Sequence, residues 1–294
     1  MPEYMEGGRI AFQTDRDGNS EIYVMGCDGK DQVNLTNNSA EDKEPSWGKG
    51  GRLAFSSNRN SEGGFDIYLL TLEPWAVVRL TTNAANDESP ALSPDGSKVA
   101  YVSYRDNDGD AEIYVLTVSD RSLVQITSNT AADVDPVWSP DGDRIVFASD
   151  SDGDWDIYIA DADGSNVTNL TDSSDDDANA YNDRWPDMGQ DSYGDLLITF
   201  ASDRKGNWEL YTMYDDGVDP WRTTNNNGAD TQPSWGPSVE EIAFHTNRDG
   251  NSEIYTIFDG GGLGKNITSD DSNDLHPDWE PQEGYSYCGE EQAV

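Results

Sequence analysis

The residues forecast an all-β chain closed into a six-bladed β-propeller, with four antiparallel strands in each blade. An acidic residue followed by Ile or Leu and then Tyr recurs six times, at Glu21-Ile22-Tyr23, Asp66-Ile67-Tyr68, Glu112-Ile113-Tyr114, Asp156-Ile157-Tyr158, Glu209-Leu210-Tyr211 and Glu253-Ile254-Tyr255. Successive tyrosines lie 45, 46, 44, 53 and 44 residues apart, and a period in the forties is the spacing of propeller blades. Each period holds several short β-rich segments divided by turn residues.

The third period shows the plan. Residues 90–93 form a short apolar strand, a. Pro94-Asp95-Gly96-Ser97 supplies a tight turn, with Pro and Gly where a reversal wants them. Residues 98–103 alternate and are rich in β-formers, which makes strand b; 105–111 are a polar loop, 112–117 strand c and 123–127 strand d. Four such strands make one blade. The chain starts at a strand b, residues 9–14, and ends on a lone strand a, residues 277–281. That last strand is expected to complete the first blade and remove the free edges of an open ring. One domain then takes up residues 1–294, with repeats over about 8–281 and a C-terminal tail over 282–294.

Strand a carries Pro45-x-Trp47, Pro136-x-Trp138, Pro233-x-Trp235 and Pro277-x-Trp279, and these indoles are expected to fill the space between blades. An aspartate precedes the strand-a proline by three residues in every unit: Asp42, Asp87, Asp133, Asp183, Asp230 and Asp274. Either it fixes the d–a loop through a side-chain-to-backbone hydrogen bond, the preferred reading, or it rings the channel mouth with carboxylates.

Three of these motifs are diagnostic: Ser-Pro-Asp-Gly-x-x-Val/Ile at 93–99 and 139–145, Asp-Arg-Asp-Gly-Asn at 15–19, and Glu-Ile-Tyr at 21–23. They resemble the TolB-like six-bladed propellers built from WD40-like PD40 repeats. The resemblance implies a periplasmic or extracellular binding or scaffolding role and carries over no catalytic residue.

Composition narrows the partners. Lys and Arg number 18 against 58 Asp and Glu, a net charge of −40, and 41 of the acids are Asp. Such a surface repels nucleic acid and anionic membranes. Cation binding, solubility in strong salt or a basic partner remain. No apolar run approaches the ~18 residues of a membrane helix. The two cysteines are expected to pair: in an up-and-down blade, Cys27 in a c–d turn and Cys288 beyond the last strand a fall on the same lower face. The bridge would favour an oxidising compartment; two free thiols are the alternative.

The b–c loops carry the chemistry. Four follow an alternating oxygen pattern around a glycine: Asp15, Asp17, Asn19, Glu21; Asp106, Asp108, Asp110, Glu112; Asp150, Asp152, Asp154, Asp156; and Asn247, Asp249, Asn251, Glu253. Calcium takes about six to eight hard oxygens from such a wrapped backbone, so Ca²⁺ is the expected cofactor, best supported at the loops of Asp106 and Asp150. A plain hairpin loop is the alternative. In the fifth unit Lys205 stands where the second acid would be, as though an ammonium replaced an ion.

Phe65, Trp155 and Trp208 precede the strand-c acid, and the long d–a loop of the fourth unit adds Tyr181 and Trp185. Trp155, Trp208, Tyr181 and Trp185 are the candidate partner-binding residues, with blade packing the competing reading. Only His245 and His276 exist, and no nucleophile-elbow, zinc-protease, P-loop or dinucleotide motif is present. The expectation is a non-catalytic, calcium-binding, monomeric recognition module for a protein or a surface glycan, periplasmic or extracellular. The alternatives are a carbohydrate-binding or carbohydrate-active propeller and a halophilic one whose charge serves solubility.

Overall fold

Strands b and c hold the apolar alternation of each repeat, and both lie inside their sheets. The computed structural model describes residues 8–60, 63–106, 109–172 and 181–281. Among these, 24 strands form six antiparallel four-stranded sheets. The third blade is β8 (Asp87–Leu92), β9 (Lys98–Ser103), β10 (Glu112–Thr117) and β11 (Leu123–Gln125), paired in that order. Strands b and c stand where the pattern put them. Strand d stops earlier, because the hydroxyl of Thr127 takes the Ile113 N–H at 2.9 Å. A threonine does the same in the other five blades, at Thr36, Thr81, Thr171, Thr224 and Thr268.

Strand a starts three residues before the expected proline, at the repeated aspartate. This holds for β4 (Asp42–Gly48), β8, β12 (Asp133–Trp138), β16 (Asp183–Gln190), β20 (Asp230–Trp235) and β24 (Asp274–Trp279). A β-bulge precedes each proline, as between Lys43 and Ser46. Proline lacks the N–H a ladder needs, and a bulge is where a strand tolerates it.

The ring closes as expected. β24 pairs antiparallel with β1 (Arg9–Thr14), Ile10 opposite Trp279 and Thr14 opposite Asp274, ahead of β2 (Glu21–Gly26) and β3 (Val33–Asn34). The closing strand thus covers 274–279 rather than 277–281. Beyond it the Glu280 N–H donates to the Arg9 carbonyl (2.8 Å), and the Arg9 guanidinium grips the Glu280 carboxylate.

The core consists of layers between blades. Trp47 packs with Ile22 and Val24 of the first blade and with Leu53 and Phe55 of its own. Trp138, Trp235 and Trp279 do the same at three other interfaces, all buried. Truncating such an indole typically costs about 3–5 kcal/mol.

Candidate functional site

The six strands a line the central channel, and their bulges share an unusual backbone. The residue before each proline is left-handed: Glu44 (φ 54°), Ser89 (49°), Asp135 (55°), Trp185 (53°), Gln232 (52°) and His276 (49°). Non-glycine residues pay about 1–2 kcal/mol for this region, and strained, bulged positions cluster where side chains are aimed at a ligand. Here one geometry presents six different side chains to a cavity of about 340 Å³ that all six line. Sequence reasoning missed this ring. Its signal was a variable residue held between an invariant aspartate and an invariant proline.

The ring is polar and asymmetric. Glu44 Oε2 accepts from the Ser89 N–H (2.7 Å) and from the Ser56 hydroxyl (2.5 Å). Across the cavity Arg184 pairs with Asp135 at 2.7 Å and lies over Trp155 (4.3 Å) and Trp185 (4.9 Å). Trp185 meets Trp208 edge-on at 5.1 Å. Burial first, then the charge of Glu44, pushes the Glu88 carboxyl up. Gln232 Oε1 accepts from the His276 N–H (3.3 Å), and His245 bonds the Thr231 hydroxyl (2.9 Å).

One step deeper, side chains after the proline clasp the neighbouring blade. Asp187 Oδ2 accepts from the Trp235 N–H (2.6 Å), Ser46 Oγ from Leu92 (3.0 Å) and Ser234 Oγ from Trp279 (3.0 Å), and Asp278 accepts from Trp47. Burial raises Asp187 to about 6 and Asp278 well above the carboxylate range.

The six repeated aspartates do not ring the mouth: each is fully buried. Five face an arginine from the b–c loop of their own blade: Arg16–Asp274 (3.1 Å), Arg59–Asp42 (2.9 Å), Arg105–Asp87 (3.1 Å), Arg204–Asp183 (2.8 Å) and Arg248–Asp230 (2.9 Å). Each guanidinium also lies over an aromatic pair, as Arg248 over Phe244 (5.5 Å) and Tyr255 (4.5 Å). The expected side-chain-to-backbone bond is replaced by side-chain partners: the d–a loop is tied to the aspartate by an asparagine amide in four blades, Asn38 to Asp42, Asn83 to Asp87, Asn129 to Asp133 and Asn226 to Asp230, and the arginine ties the b–c loop. In the fourth blade Ser151 occupies the arginine position.

The four oxygen-rich loops divide into two kinds. In the first, Asp15 accepts from the Asn273 N–H (2.9 Å) and amide (3.0 Å), and Asp17 from the Tyr23 hydroxyl (2.5 Å) and Asn34 (2.9 Å). The Asn19 amide donates to Glu21 (3.0 Å) and to the carbonyls of Asn38 (3.1 Å) and Ala40 (2.5 Å). The sixth loop repeats this. Asn247 accepts from Ala229 (2.9 Å), Asp249 from Tyr255 and Asn266, and Asn251 donates to Glu253 (2.8 Å) and to the carbonyls of Asp270 and Ser272. Donors already fill both loops.

The third and fourth loops instead gather carboxylates. Asp106, Asp110 and Glu112 bring oxygens within 4.8 Å of one another, as do Asp152, Asp154 and Asp156. Burial, with the charges of Asp133 and Asp110 adding to it, pushes Glu112 up to about 7. Burial, then the charge of Asp152, does the same to Asp156. The fourth-loop acids are bridged by Asn169, at 2.8 Å from Asp152 and 2.9 Å from Asp156. Asp150 stands apart, accepting from the Ala132 N–H (2.8 Å), and Asp108 lies outside the described residues. An all-oxygen donor set of this kind fits calcium chemistry. Lys205 is exposed and makes no ion pair among the described residues; the Asn207 amide (3.0 Å) and Arg222 (2.7 Å) engage Glu209 instead.

Trp155, Trp185, Trp208 and Tyr181 are all half-buried, and Arg204 lies over Tyr181 at 4.5 Å. Of these, Trp185 reaches the cavity. Cys27 is buried beside Trp279 and Ile267 at the closing blade, and Cys288 lies outside the described residues. Among the described residues no helix is long and apolar enough to cross a membrane.

Comparison with known proteins agrees with this architecture. A family model described as the TolB beta propeller domain matches residues 2–103 and 66–190. The Tol-Pal system protein TolB of Desulfosudis oleivorans is 40% identical over 65 residues, 22% of this chain and 14% of that one. The chain therefore spans a small part of that relative. The structure of TolB from Acinetobacter baumannii superposes with a TM-score of 0.78 at 20% identity, covering 94% of this chain and 67% of the other. A putative TolB from Agrobacterium tumefaciens gives 0.68 at 19% identity over 95% and 100%. Enzymes share the fold too: an oligogalacturonate lyase of Vibrio parahaemolyticus superposes at 0.58, with 11% identity over 88% and 74%.

Proposed function

The chain belongs to the TolB beta propeller domain family, and from that premise we propose that it is a non-catalytic protein-recognition module whose binding site is the mouth of the channel. One observation carries this reading. Six left-handed bulge residues, all different, are presented by six equal backbones around one cavity. Repetition there serves presentation, and variation serves discrimination. Glu44, Glu88, Asp135, Asp187 and Asp278 line the cavity with a single arginine, Arg184, which is already paired with Asp135, so the mouth suits an extended segment with a basic residue and an apolar one for Trp185. Such a scaffold needs no chemistry of its own.

Panning a random peptide library tests the reading. Peptides enriched on the full chain should lose binding to Trp185→Ala and Arg184→Ala while both variants keep the parent melting temperature. Enriched peptides that bind both variants unchanged would place the site elsewhere, and a sugar array that lights up instead would favour the carbohydrate reading.

Three further features belong to the proposal. Calcium is the ion of the acidic b–c loops, a Cys27–Cys288 bridge staples the closing blade, and the compartment is periplasmic or extracellular. Calcium-loaded loops and a disulfide suit the same oxidising surroundings.

A further inference from the structure

We propose that calcium in the third blade occupies the place that an asparagine amide fills in three other blades; this rests on the calcium reading above and says where and why the ion binds. The blades supply the comparison internally. In the first, fifth and sixth, the residue two before the strand-c glutamate is Asn19, Asn207 or Asn251. Each amide donates to its glutamate and to two d–a loop carbonyls, 19 and 21 residues further on. That amide is a positive dipole plugged among three inward-facing oxygens. The second blade uses a different plug: Arg79 pairs with Asp66 at 2.9 Å. In the fourth, Asn169 bonds Asp156.

The third blade has none of these. Asp110 stands at the asparagine position, so a donor is replaced by an anion. Gln125, at the register of Arg79 and Asn169, is exposed. Glu112 is 0% exposed, and neither of its carboxylate oxygens has a hydrogen-bond partner. In the other five blades the strand-d threonine donates to the strand-c acid; in the third, Thr127 lies beside Glu112 but makes no hydrogen bond of ordinary geometry with it. A fully buried carboxylate without a donor is strongly disfavoured. It shares one site with the oxygens of Asp106 and Asp110, and Asn129 and Ala131 hold the positions, 19 and 21 residues after Asp110, whose carbonyls meet the amide in the other blades. Three carboxylates and two carbonyls around one point form a donor set for a hard divalent cation of calcium's size.

Calcium titration into chelator-treated full-length protein, with melting curves in chelator and in about millimolar calcium, tests this. Asp110→Asn should bind one calcium fewer than the parent. It should also melt higher than the parent in chelator, because the new amide supplies the missing donor. Glu112→Gln should weaken the same site at least tenfold, and Asp17→Asn in the donor-filled first loop should leave stoichiometry unchanged. If Asp110→Asn and Glu112→Gln both keep the parent stoichiometry and affinity, the amide-for-ion exchange is wrong while calcium binding survives. A parent that binds no calcium, yet gains stability with molar sodium chloride, overturns both.

Discussion

Arg248 shows what a single side chain does in this chain. Its guanidinium neutralises a fully buried aspartate and lies over two aromatic rings, so it bridges the first strand of a blade, the loop between its middle strands and its core. Removing one partner of a buried pair leaves the other charge uncompensated, a loss of about 3–5 kcal/mol. Arg248→Leu should therefore lower the urea midpoint by that equivalent. The fourth blade offers the reverse experiment. There Asp133 is buried, Oδ1 has no hydrogen-bond partner, and burial raises its carboxyl. Ser151→Arg should supply the missing cation and add roughly 0.5–2 kcal/mol; a destabilised variant would show that this blade cannot accommodate the side chain.

Asp187 belongs to the same scale and gives a pH signature. Its carboxyl sits at about 6 because of burial, above an unfolded value of about 3.9. The native state then holds the proton more tightly than the unfolded one. This contribution is fully present below about 4 and is lost as pH rises through about 6. Asp187→Asn keeps an acceptor for the Trp235 N–H and removes the titration. Its thermal stability should fall less steeply than the parent's between pH 4 and 6, as melting curves across that range would record.

At the scale of the element, strands b and c were legible because their alternation is local. Lys98–Ser103 and Glu112–Thr117 could be read from period two alone. Strand a was not, because its first half is polar and its proline looks like a beginning; only the bulge explains how Asp87 and Pro90 share one strand. The acid-rich loops were legible as a group but not one by one. Whether Asp17 or Asp110 faces a donor depends on residues such as Tyr23, Asn34 and Asn38, which approach from other strands and loops. The bulge also predicts its own tolerance. At Ser89, glycine relieves about 1 kcal/mol of left-handed strain and costs roughly 0.5–1 kcal/mol in unfolded-chain freedom, so Ser89→Gly should be neutral within about 0.5 kcal/mol. A β-branched side chain fits that region poorly, and Ser89→Val should lose about 1–2 kcal/mol. Denaturant melts of the two variants would separate strain from simple loss of the serine.

Over the whole molecule, the feature with the widest reach is the first blade, assembled from both ends of the described chain. Arg16 and Asp274, which meet there, are 258 positions apart in sequence, whereas the other five blades are each built from one continuous stretch. Contacts between distant positions form late, because the chain entropy between them must be lost before they reward it. The five continuous blades can consequently be ordered while the sixth interface pair is still unmade, and the seam becomes the last event of folding and the first of unfolding. Interactions absent from the transition state govern the rate of unfolding and leave the rate of folding nearly untouched. Trp279→Ala at the seam should therefore accelerate unfolding with little change in refolding, whereas Trp138→Ala, between two continuous blades, should slow refolding as well. Stopped-flow chevrons of the two variants would distinguish these outcomes, and equal effects on both limbs at Trp279 would mean that the seam forms early. On this account the lifetime of the folded ring is set at one joint, and its persistence in a harsh environment is a matter of kinetics there rather than of the average strength of its six blades.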